Sequence, residues 1–269
     1  MSLFFLLILI GVAIFFYRRW AKKQRRLSLL SSRITDHQRD VIGRCVPMVQ
    51  KIPTEFHRPL EGKINLFLDQ VTMVGYHGLE VTEEMELSIA TQACLLVMNT
   101  NAWYDTLTTV MIYPGAFKSK TARHDGFVVT EKETVRTGES WNRGPVILSW
   151  THSNDGALDT GDGHNVVLHE FAHQLDERSG RADGAPVLRR GQDFSTWEAV
   201  FLAAFDRLDD RVSRGLPTVM DAYGTENHQE FFAVGVETFF ESPIELKRAE
   251  PAFYEQLSEL LGLDPASWT

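Results

Sequence analysis

The chain is 269 residues long, 43% hydrophobic and 23% charged, enough to bury one substantial core with at most one small extra module. Its net charge of -9 is unevenly spread: residues 1–30 hold six basic residues and no acidic one, and the remaining body is strongly acidic. An acidic body argues against direct nucleic-acid binding, which wants a basic surface against phosphate. Two cysteines, Cys45 and Cys94, are too few for a disulfide scaffold and too widely spaced for a thiolate metal site.

Residues 3–17 form an uninterrupted apolar run, and Arg18, Arg19, Lys22 and Lys23 follow at once. A secretory signal puts its positive charge before the apolar run, so the reversed order predicts an anchor: a transmembrane helix over 1–20, extended by Trp20 and snorkelling basic stems. With the positive flank inside, the N-terminus faces out and the body faces the cytoplasm. Residues 21–49 then read as a basic juxtamembrane and connecting segment, and 50–269 as one folded domain.

Thr82, followed by Glu83, Glu84 and Glu86, predicts a capped helix with Met85, Ile89 and Leu96 along its core side and Cys94 as a small core residue. From residue 107 the apolar period shortens to two. Residues 108–113, 126–130, 134–136 and 146–150 read as strands of a small, mostly antiparallel sheet, with a short charged turn between the second and third. The last strand is either an ordinary core strand or, at the sheet edge, one with which an extended peptide could pair. Residues 151–164, rich in Asp, Gly, Asn and Ser, read as a lead into the next helix.

That helix, over 166–176, carries His169-Glu170-Phe171-Ala172-His173. Asp162 or Asn165 can cap it, Gly180 can end it, and Val167, Phe171 and Leu175 share the face turned away from the histidines. Histidines four residues apart lie one above the other, so both imidazoles reach a single tetrahedral ion, for which zinc is the natural candidate. Glu170 sits beside the ion rather than on it, where it can take a proton from a water the metal has activated, which is the wiring of a zinc hydrolase. Asp176 falls on the same face, either ordering the site or lying solvated at the helix end. His152 and His164 lack a spacing that aims them at the ion.

Ser195-Thr196-Trp197-Glu198 reads as a capping box opening a helix with Val200, Phe201, Ala204 and Leu208 inward. A catalytic zinc keeps three protein ligands, so a third is needed. A helix from about 227 to 241, stopped by Pro243, supplies the candidates. Glu230 shares a face with Val234 and Glu237, while Phe231 and Phe232 can pack the helix against the motif helix. Glu226 and Glu237 are rivals, and Glu237 can also accept a hydrogen bond from a ligating histidine. His228 reads as a solvated residue at the helix start.

The motif His169-Glu170-Phe171-Ala172-His173-Gln174-Leu175-Asp176, Tyr223 with Glu230 seven residues later, and Gly138-Glu139-Ser140-Trp141-Asn142-Arg143-Gly144-Pro145-Val146-Ile147-Leu148-Ser149-Trp150 together resemble the Mlc titration factor A family of zinc peptidases. That family is similar to the catalytic domain of anthrax lethal factor, and the likeness covers roughly residues 50–260. It implies an α+β, zincin-like metallopeptidase domain, here expected to be mainly helical and preceded by the transmembrane helix. It also implies His169, His173 and Glu230 as ligands of one zinc ion, Glu170 as general base and Tyr223 as transition-state stabiliser. The expected location is then the inner membrane of a bacterium, as a single-pass protein, and the expected partners are a peptide or protein substrate, the membrane through residues 3–17, and a transcriptional repressor. The reaction is peptide hydrolysis, with aminopeptidase-like trimming one option. Two rival readings remain: a binding protein that sequesters a repressor, with hydrolysis secondary, and a purely structural zinc site.

Overall fold

A computed structural model of the chain describes residues 2–125, 128–140, 144–161, 163–181 and 183–268. Helix α1 (Ser2–Ser31) runs without a break from the apolar stretch through the basic one. No helix among the described residues is long and apolar enough to cross a membrane. The apolar run of residues 3–17 falls short of the ~20 residues a span needs, and α1 carries Arg18 and Arg19 straight after it. The expected transmembrane helix and the single-pass inner-membrane location are therefore overturned, and with them a membrane span through residues 3–17. The far end of α1 instead packs on α3 (Thr54–Gln70), where Arg25 pairs with Asp69.

Between them, α2 (Asp36–Cys45) opens on a capping box in which Thr35 Oγ1 accepts from Gln38 N and Gln38 Oε1 accepts from Thr35 N. Its Val41, Ile42 and Cys45 join Ile34 and Met48 in one apolar core among the described residues.

Strand β1 (Thr72–Gly75) pairs in parallel with β2 (Thr109–Tyr113), and the crossover that a parallel pair requires is α4 (Glu83–Leu95), capped at Thr82 as the sequence predicts. Strand β2 pairs in parallel with β6 (Val146–Ser149), and β5 (Gly138–Ser140) adds antiparallel to β6 at the edge, giving the order β1-β2-β6-β5. A separate antiparallel hairpin joins β3 (Phe117–Asp125) to β4 (Val128–Arg136), in register from Phe117↔Arg136 to Asp125↔Val128. The main sheet is thus mixed and mostly parallel, not mostly antiparallel. Alternation marks each strand but not its partner, and the parallel arrangement is set by the α4 crossover. The charged residues expected in a turn, Glu131 to Glu133, lie inside β4, while Gly126 and Phe127 of the expected strand lie outside the described residues.

Strand β6 ends at Ser149, and α5 (Trp150–Leu158) occupies the stretch expected to be a lead-in loop. The motif helix α6 (Val166–Asp176) follows, with Asn165 as its cap; Asp162 lies outside the described residues. Val167, Phe171 and Leu175 are buried, Phe171 against the rings of Phe67 and Tyr104. A short 3-10 turn then ends at Gly180, whose φ of +84° is the left-handed conformation that favours glycine. Helix α7 (Phe194–Ser213) is capped by Asp193, which accepts from Thr196 N, two residues earlier than the expected box. Helices α8 (His228–Glu241), α9 (Pro243–Ala249) and α10 (Pro251–Leu261) complete the chain. Phe231 and Phe232 of α8 find their ring partners on α7 and α10, namely Phe201, Phe253 and Trp197.

Asn165 is the node between three helices. Its Oδ1 accepts from Leu168 N, its Nδ2 donates to Gly156 O of α5 and Glu241 Oε1 of α8, and its backbone N–H donates to Glu237 Oε2 of α8. Asn165→Ala removes the cap, worth about 1 kcal/mol, and strips donors from buried carbonyl and carboxylate groups at roughly 1–3 kcal/mol. Thermal unfolding is expected to fall by roughly 5–15 °C for a chain of this size, a shift that calorimetry reads directly.

Candidate metal centre

Helix α6 presents His169 and His173 on one side, their rings 4.7 Å apart and nearly perpendicular. The first turn of α8, held by Asn227 Oδ1 accepting from the backbone of Gln229 and Glu230, brings the Glu230 carboxylate to them. Glu230 Oε2 lies 3.0 Å from His169 Nε2 and 3.4 Å from His173 Nε2, and the two Nε2 atoms are 3.1 Å apart. One ligand atom from each residue falls within 4.8 Å of the other two. Lone pairs converging this closely repel one another unless a proton or a cation sits among them, so the donor chemistry fits a metal ion.

The electrostatics agree. Burial disfavours a charged His169, but Glu237 and Glu230 outweigh it and hold its pKa well above the ordinary histidine value. Burial likewise opposes the Glu230 charge, yet hydrogen bonds from His169 and His173 hold its carboxyl well below the usual range. Such a field stabilises positive charge at the meeting point of the three side chains.

Glu170 stands beside the three converging donors and is not one of them. It is buried, its Oε2 has no hydrogen-bond partner among the described residues, and burial, only partly countered by the two histidines, pushes its pKa up to about 7. Strand β5 is its neighbour. A Cβ at Gly138 would lie 2.4 Å from Glu170 Oε1 and 2.6 Å from Val166 Cγ2, so only glycine lets the strand approach this closely. Gly138→Ala is expected to displace the carboxylate by about an ångström and to lower turnover roughly 100-fold with metal content unchanged, which parallel kinetics and metal analysis would check.

Tyr223 is 47% exposed, with its ring centroid 6.0 Å from that of His169. Its 3-10 turn, Ala222–Thr225, is held by Asp221, whose Oδ1 accepts from Tyr223 N at 2.7 Å. Sequence reasoning passed over Asp221, although Asp two residues before a turn amide is a recognisable cap.

The remaining candidates lie apart from the cluster. Glu226 is exposed. His152 pairs through Nδ1 with Ser149 Oγ, and His164 stands 3.7 Å from Asp221. His228 packs its ring on Phe205. Asp176 is not solvated: fully buried, its Oδ2 accepts from Gly184 N at 2.7 Å and ties down the loop after α6. Strand β6, considered as an edge for peptide pairing, is internal, and β5 is the edge beside α6. A cleft of about 870 Å³ between α7 and α9 holds none of the cluster's residues, and its Arg207 and Arg211 already bond Glu250 and Pro217 O.

Comparison with known proteins agrees with this geometry. The family described as glucose-regulated metallo-peptidase M90 matches residues 17–261. An uncharacterised protein of Synechocystis is 38% identical over 249 residues, covering 91% of this chain and 89% of the relative. Proteins called Mlc titration factor A are 31% identical in Klebsiella pneumoniae, over 82% of this chain and 84% of the relative, and 32% in Yersinia pestis, over 82% of each. With the match running from α1 into the end of α10, the chain belongs to the glucose-regulated metallo-peptidase M90 family, that of Mlc titration factor A.

Proposed function

We propose that the protein is a zinc-dependent peptidase in which His169, His173 and Glu230 hold one zinc ion, Glu170 is the general base and Tyr223 stabilises the transition state. The observation that carries this reading is the convergence of two imidazole nitrogens and one carboxylate, with a second, buried carboxylate alongside. Two histidines and a glutamate leave a fourth tetrahedral position open, as catalytic rather than structural sites do. When bound, zinc supplies Lewis acidity, polarising a peptide carbonyl and bringing the pKa of water down to about 7.

The chain's own residues do the rest. Glu170 accepts the proton of the attacking water and delivers it to the leaving amine, work suited to a carboxyl with a pKa near 7. Tyr223 donates its phenolic hydrogen bond to the oxyanion of the tetrahedral intermediate. Strand β5, antiparallel to β6 and adjacent to Glu170 at Gly138, is the element of the sheet beside which an extended peptide would lie.

Incubating the purified protein with a mixed peptide library, with and without a chelator, tests the reading by mass spectrometry. Cleavage that the chelator abolishes and added zinc restores is expected; cleavage indifferent to chelator would contradict it. Tyr223→Phe is expected to lower kcat roughly 100-fold with little change in KM, because the phenol acts on the transition state.

The relatives' name, Mlc titration factor A, favours a second reading, in which the protein acts by holding a protein partner, a transcriptional repressor as the family resemblance implies, with hydrolysis secondary. Full biological activity in a Glu170→Gln variant would favour that reading.

A further inference from the structure

Glu237 lies two turns beyond Glu230 on α8, almost completely buried, and both of its oxygens act as acceptors. Oε1 is 2.5 Å from His169 Nδ1, and Oε2 accepts from Asn165 N at 2.8 Å. One carboxylate therefore grips the side chain of His169 and the backbone at the start of the helix that carries it.

We propose that Glu237 is the positioning residue of the metal centre: it holds His169 as the Nδ1–H tautomer, fixes the rotation of its ring, and supplies the second negative charge that balances a divalent ion. This rests on the metal-binding reading above. An imidazole offers a lone pair at only one nitrogen when neutral; with the proton on Nδ1, that nitrogen is Nε2, which faces His173 and Glu230. Hydrogen bonding from Nδ1–H to an anion raises the electron density at Nε2 and so its strength as a ligand. Glu230 and Glu237 together carry two negative charges among otherwise neutral imidazoles, matching a dication in a place where an uncompensated charge is costly. The anchoring at Asn165 adds rigidity, because His169 cannot rotate with α6 without breaking the Asn165–Glu237 bond.

The geometry separates Glu237 from its neighbour Glu241. Glu241 Oε1 also accepts from Asn165, through Nδ2 at 3.2 Å, but His169 bonds Glu237. An amide at 237 has a single acceptor oxygen for two donors, so Glu237→Gln must set an N–H against either His169 or Asn165 and loses the charge as well. Glu241→Gln disturbs Asn165 without reaching His169.

The test measures zinc affinity by chelator competition in the wild type, Glu237→Gln and Glu241→Gln, with melting temperatures recorded in excess chelator. Expected are affinity 10–100-fold weaker in Glu237→Gln and within about threefold of wild type in Glu241→Gln. Equal losses of affinity in both variants, or none in Glu237→Gln, would overturn the proposal and leave a merely structural carboxylate. Wild type is examined separately by nitrogen-15 NMR of labelled histidine in the zinc-loaded protein. Protonated Nδ1 at His169 is expected; protonated Nε2 overturns the proposal even if the variants fail to fold. Wild-type protein that binds no zinc would instead sink the metal-binding reading itself.

Discussion

Replacing Glu170 by glutamine is expected to lower peptide hydrolysis by roughly 10²–10⁴-fold while one metal ion per chain remains bound. Glu170 is not among the three converging donors, so its amide leaves them intact. Its shape is preserved against Gly138, which crowds the side chain from β5. Because burial raises its pKa to about 7, the fold gains little from its charge, and melting should be unchanged or slightly higher in the variant. The same shift predicts a sign for pH dependence. A base works only when ionised, so wild-type kcat/KM should fall as pH drops through about 7, and a cation at the cluster would draw that limb lower. Kinetics with a fluorogenic peptide, alongside metal analysis, measure both effects; a variant that still cleaves at wild-type rate would remove Glu170 from the chemistry.

The second large effect is expected from His173→Ala, which should abolish stoichiometric metal binding and with it hydrolysis. Two donors, His169 and Glu230, remain and cannot close the site. The fold should tolerate the change, since the His173 side chain is on the rim of the cluster and its close neighbours there are His169 and Glu230. Melting in chelator is thus expected to match wild type, while the rise on adding zinc disappears. For wild type that rise corresponds to about 4 kcal/mol at zinc a thousandfold above Kd. His169→Ala should behave worse, because it also leaves the buried Glu237 without its imidazole, a loss of roughly 3–5 kcal/mol when one partner of a buried pair is removed. Differential scanning calorimetry of both variants, with and without zinc, separates the two cases. Equal zinc-dependent stabilisation of wild type and His173→Ala would place the ion elsewhere.

The motif helix was legible because its evidence is local. His169 and His173 four apart, Val167, Phe171 and Leu175 on the opposite face, and Asn165 before them define α6 within one window of sequence, and all three apolar side chains are buried. Helix α8 could be read for the same reason, from Asn227 to Pro243. What escaped depends on pairing at a distance. Strand β1 is four residues long, and only its parallel partner β2 makes it a strand. Helix α3 carries Pro59 within its length, a residue that usually argues against a helix interior. Gly138 looks like an ordinary strand glycine until β5 is laid against Glu170. The apolar run of residues 3–17 misled for the opposite reason, as a local pattern that stops short of the length a bilayer requires.

The central claim, that His169, His173 and Glu230 hold one catalytic zinc ion, is tested most directly by X-ray absorption at the zinc edge of the purified protein. Two imidazole nitrogens at about 2.0–2.1 Å, one carboxylate oxygen and one further light atom from solvent are predicted, with one zinc per chain. Four protein ligands and no solvent atom, or no zinc at all, would contradict it.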